Sequence, residues 1–86
     1  MMGRRSLLRI AYHLVHPHVS EEEMPHEEWD MAVAIAQDRR DRRWPLNERT
    51  DALWAPVRDA ILNVPRPDHV SEMTYRLFHE VVRDIE

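Results

Sequence analysis

Trp29-Asp30-Met31-Ala32-Val33-Ala34-Ile35-Ala36 decides the fold, because Asp30 is the one polar residue across the stretch. Nothing in it alternates as a strand on a solvated sheet would, and it sits inside a longer helical pattern predicted over 24–43. A helix that is apolar nearly all round is either central to its fold or pressed against a second chain. Upstream, Ser20 with Glu23 three residues on reads as a capping box, while Pro25 is an alternative first turn. Downstream, the helix should stop before Trp44-Pro45, since a residue preceding proline disfavours the α region.

The flanking segments carry the same period. In 4–16, Leu7, Leu8, Ile10, Ala11, Leu14 and Val15 share one face and Arg5, Ser6, Arg9, His13 and His16 the other, with Pro17 ending the helix. A third helix is predicted over 48–63, capped by Asn47 or Thr50, with Leu53, Trp54, Val57, Ala60, Ile61 and Val64 on its core face. Pro56 lies inside that register, so a kink or a late start near Trp54 is expected. After Pro65-Arg66-Pro67, a fourth helix over 69–85 is capped by Asp68 or Ser71. Its core side is predicted to be Val70, Met73, Leu77, Phe78, Val81 and Ile85. The expectation is an all-α bundle of four short helices in a single domain over 1–86.

Composition removes several chemistries. The single glycine, Gly3, leaves no phosphate-cradling loop or nucleophile elbow, and the absence of cysteine leaves no thiol nucleophile, disulfide or thiolate metal site. All 12 basic residues are arginine, which excludes lysine Schiff-base chemistry and is what a GC-rich genome tends to write. The carboxylates fall mostly on polar helix faces, and short helices offer little room for a pocket that would shift a pKa. No enzymatic activity and no cofactor is expected. Met31–Ala36, the longest apolar run, is far below the roughly 20 residues a bilayer requires. The stretch from Met1 to Leu8 has a signal-peptide look, but Arg9 and His13 interrupt it, so a cytoplasmic location is expected.

Charge is unevenly placed. Arg4, Arg5 and Arg9 precede the first acid, Glu21, whereas the remaining arginines share the chain with all 16 carboxylates, for a net charge of -4. Arg5, Arg9, His13 and His16 form a basic stripe that could meet phosphates or an acidic partner, or simply be a solvated face paired with Glu21–Glu23. A second basic element is Arg39, Arg40, Arg42, Arg43 and Trp44, interrupted by Asp41 and preceded by Asp38. On the helical wheel Arg39 and Arg43 continue the apolar face and Asp38 and Asp41 lie across from it. The arrangement fits the rim of a protein interface, with Trp44 as an exposed anchor. His13, His16 and His18 could supply metal ligands, but Pro17 leaves their orientation unfixed and no metal site is assigned.

The leading expectation is therefore a non-enzymatic interaction module that binds and regulates or inhibits another protein through Arg39, Arg40, Arg42, Arg43 and Trp44. A homodimer through Trp29, Met31, Val33 and Ile35 of the second helix is a companion expectation. The alternative is a nucleic-acid-binding regulator using the basic face of the first helix and the Arg39–Trp44 cluster. In size, acidity and helicity the chain resembles bacteriophage-encoded inhibitors and toxin antidotes as a class, with no motif that transfers a residue role.

Overall fold

A computed structural model describes residues 3–45 and 47–86; Met1 and Met2, which open the signal-like stretch, lie outside them. Four helices follow one another: α1 Arg4–Val15, α2 Glu28–Arg40, α3 Glu48–Leu62 and α4 Glu72–Asp84. Among the described residues there is no strand, and no helix is long and apolar enough to cross a membrane.

The Trp29–Ala36 stretch does become the middle of the molecule. Trp29, Met31, Ala32, Ile35 and Ala36 are buried, and Leu8 and Ala11 of α1, Trp54, Val57, Ala60 and Ile61 of α3 and Val82 of α4 join them in one core. Helix α1 packs on both α2 and α3, and α4 packs on α3. Two aromatic contacts dock α4 against the start of α2: Phe78 meets Trp29 edge-on at 4.8 Å, and Tyr75 stacks on Trp29 at 5.7 Å. Tyr75 Oη also donates to Val64 O at 2.6 Å, and Arg66 Nη1 donates to Val70 O at 2.7 Å, which fixes the Pro65–Pro67 connection.

The caps explain where helices begin. Asn47 Oδ1 accepts from Thr50 N at 2.9 Å, and Thr50 Oγ1 accepts from Asn47 N at 3.3 Å, a reciprocal box that starts α3 at Glu48. Ser71 Oγ accepts from Thr74 N at 3.1 Å and starts α4 at Glu72, three residues later than the predicted 69. The Ser20–Glu23 signal, by contrast, makes an isolated turn: Ser20 O accepts from Glu23 N and Met24 N, and the chain then reaches Pro25. Met24 precedes a proline and is steered out of the α region, so α2 waits until Glu28 rather than starting at 24. The late start is not seen: α3 is helical from Glu48 onward and carries Pro56 in its interior. Pro56 and Ala52 are both exposed, so the carbonyl deprived of its i+4 donor can bond water.

Helix α2 ends at Arg40 instead of continuing to 43 because Arg42 adopts a left-handed conformation with φ 58°. Arg42 N donates to Arg39 O at 3.1 Å and Arg43 N to Asp38 O at 2.9 Å, the paired bonds of a left-handed helix stop. Glycine is the usual occupant of this position, since a Cβ there crowds the backbone. Arg42→Gly is therefore expected to stabilise the fold by about 0.5–1 kcal/mol, read as a higher urea midpoint, whereas Arg42→Val should lower it.

One predicted face is not where the periodicity put it. Met73, Leu77 and Val81 of α4, assigned to the core, are 73%, 55% and 40% exposed. Helix α4 buries the opposite side, through Val82 with half-buried Tyr75 and Phe78, and it lies at the edge of the bundle, with no further helix over it among the described residues.

Candidate interaction surface

The corner where α2 stops was the predicted binding site, and its residues divide into two groups. Arg39 is a structural residue. Its guanidinium lies 5.6 Å from the ring centre of Trp44 and 5.4 Å from that of Trp54, while Nε donates to Glu86 O at 3.0 Å and Nη1 donates to Asp51 Oδ1 at 3.3 Å. Trp44 is a correction: it is 2% exposed and packs edge-on against Trp54 at 5.6 Å, so it cannot serve as an exposed anchor. The left-handed turn at Arg42 reverses the chain and brings Trp44 back onto the core. Arg40, Arg42 and Arg43 remain exposed. Arg40 has only its neighbour Asp41 at 3.7 Å and Arg43 only Asp38 at 3.7 Å, and Arg42 has no ion-pair partner among the described residues.

Asp38, placed by the wheel across from the apolar face, is 4% exposed. It is held at Oδ2 by His16 Nε2 at 2.9 Å and approached at Oδ1 by Arg43. This contact ties the end of α1 to the end of α2 and removes His16 from the basic stripe. The rest of that stripe is also engaged: Arg5 pairs with Glu28 at 3.4 Å and Arg9 with Glu21, and Arg4 joins Glu28 at 2.8 Å. Most of the positive charge on α1 is thus matched inside the molecule. Among the described residues no three His, Asp or Glu side chains are grouped to hold a metal, His13, His16 and His18 included.

The dimer face predicted on α2 also changes. Trp29, Met31 and Ile35 are consumed by the core of a single chain, and Val33 alone of that set is only half-buried. Val33, Ala36, Gln37 and Arg40 form one wall of a shallow groove whose other wall is Phe78 and Val81 of α4. The groove meets a larger cleft of about 670 Å³ at the α2 stop, lined by Arg39, Arg40, Arg42, Val81, Asp84 and Ile85 among others. Met73, Leu77 and Val81, one helical turn apart, make an apolar stripe leading along α4 toward it.

On the inner flank of α4, the His79 ring lies 4.2 Å from the Tyr75 ring, and its Nε2 is buried without a hydrogen-bond partner among the described residues. Burial holds its imidazole below the ordinary 6.5, and the Arg83 cation pushes the same way, so His79 is an uncharged packing residue at neutral pH. The sequence did hold a sign of the outer stripe. The apolar residues of α4, from Met73 round to Tyr75, span about 200° of the helix circumference at about 100° per residue, more than one neighbouring layer covers. No protein-family model, no curated protein and no solved structure matches this chain.

Proposed function

We propose that the chain is a non-enzymatic helical module that binds and regulates another protein through the outer face of α4 and the adjoining α2–α4 groove. One observation carries this reading: Met73, Leu77 and Val81 form an exposed apolar row beside a cleft rimmed by the exposed cations Arg40 and Arg42. A contiguous apolar row with a polar rim is the composition of a protein-docking surface. Nucleic acid is less well served. Arg5 and Arg9 are paired, Trp44 is unable to stack on a base, and the 41–47 connection exceeds the roughly 3–4 residues of a helix-turn-helix turn.

The test is capture from nuclease-treated lysate of the source cell by the tagged chain and by its Leu77→Glu variant. Leu77 is exposed and glutamate is a good helix former, so the variant should keep the helical spectrum of the parent. A stoichiometric protein that survives nuclease and is held at least about thirty-fold more weakly by Leu77→Glu is the expected result. Equal capture by both forms would remove α4 as the docking face. Material lost on nuclease treatment would transfer the assignment to Arg40, Arg42 and Arg43 as phosphate contacts.

A further inference from the structure

We infer that Met73 is a peroxide-sensitive modification site, whose oxidation to the sulfoxide weakens docking on the outer face of α4. The inference rests on the reading of α4 as a docking face and gives that face a regulator. Sulfur in this chain is thioether sulfur alone: there are five methionines and no cysteine, so no thiol competes for an oxidant. The fold then sorts the described methionines by access. Met24 and Met31 are 5% and 6% exposed and belong to the core, whereas Met73 is 73% exposed. A peroxide must reach the sulfur to oxidise it, so exposure sets the order of reaction.

Met73 also lies where the product matters. It is the second residue of α4, one turn before Leu77 and two before Val81. At about 100° per residue the three side chains fall within about 80° of one another, on the row that the bundle leaves exposed. In the reaction the Met73 sulfur takes one oxygen from a hydroperoxide. The O–O bond breaks, an S=O bond forms, and the two electrons lost by sulfur reduce hydrogen peroxide to water. The row then begins with a strongly polar oxygen in place of an apolar thioether, and an apolar partner surface must desolvate it to dock. The fold itself is spared, because the side chain buries little in the free chain. Sulfoxide reductases of the two epimer specificities, with a dithiol that becomes a disulfide, return the thioether and water.

Treatment of the whole folded chain with hydrogen peroxide, removed before capture, tests the inference. Cleavage after arginine places Met73 in 59–76, Met24 and Met31 in 10–39, and Met1 and Met2 in 1–4, so mass spectrometry follows each group separately. Oxygen should enter 59–76 at least about tenfold faster than 10–39, with the helical spectrum unchanged. The oxidised chain should hold the protein captured by the parent about 3–10-fold more weakly, and the reductases should restore the parent's affinity. Met73→Leu keeps the row apolar without a sulfur and should capture as the parent does, before and after peroxide. Met73→Gln, polar at the same place, should be weakened without any peroxide. Equal oxidation of 59–76 and 10–39, undiminished capture by the oxidised chain, or peroxide sensitivity retained in Met73→Leu would each overturn the inference. If the oxidised chain captures normally while Leu77→Glu does not, Met73 is refuted as the regulator and the α4 docking face is retained. If neither change affects capture, or the parent captures nothing, both are refuted.

Discussion

Trp44→Ala should lower folding stability by about 3–5 kcal/mol, a large share of what an 86-residue domain possesses. The side chain is 2% exposed, so alanine opens a cavity at the α2 stop. Trp54 loses the ring it meets at 5.6 Å, and Arg39 keeps one of its two aromatic neighbours. Trp44→Phe should cost much less, about 1–2 kcal/mol, because the Trp44 indole N–H has no hydrogen-bond partner among the described residues. Urea denaturation followed by circular dichroism reads both. A Trp44→Ala variant with the parent's midpoint would mean that the ring is a surface anchor after all, and the structural assignment of this corner would fail.

Asp38→Ala should cost about 2 kcal/mol, the second largest effect expected here. Alanine leaves His16 Nε2 without its acceptor and removes the carboxylate that Arg43 approaches. The cost stays below that of a fully buried ion pair because His16 and Arg43 retain access to water. Asp38→Asn keeps an oxygen acceptor and should lose about half as much. In a double-mutant cycle, His16→Ala combined with Asp38→Ala should fall short of the sum of the single losses by about 0.5–1.5 kcal/mol. Strict additivity would show that the α1–α2 tie contributes nothing.

The central helix was legible because Trp29–Ala36 is apolar but for Asp30 and so had to be covered, by its own chain or by a second one; the single-chain core covers Trp29, Met31, Ala32, Ile35 and Ala36. The Asn47 and Ser71 caps were legible because their hydrogen bonds are local. The errors cluster at the α2 stop and on α4, for two physical reasons. Arg42 occupies a left-handed site that glycine would have announced, so neither the early end of α2 nor the return of Trp44 to the core was visible in residue types. The burial of Asp38 depends on His16, 22 residues away, and no wheel drawn on one helix can show it. Periodicity also groups the residues of a face without saying how many layers cover it. Met73, Leu77 and Val81 were assigned to a core that α4, lying at the edge, reaches only with its other side. The basic stripe on α1 was visible, as were the acids that could match it, but which of them pair was decided by the fold.

The most direct test of the account is a pair of amide NMR spectra of the whole chain, alone and with the protein captured from nuclease-treated lysate. If the outer face of α4 is the docking surface, shifts should appear at Met73, Leu77, Glu80 and Val81, extend to Val33 and Gln37, and vanish in Leu77→Glu. Shifts confined to the Arg5, Arg9 and His13 face of α1, with α4 unchanged, would contradict it.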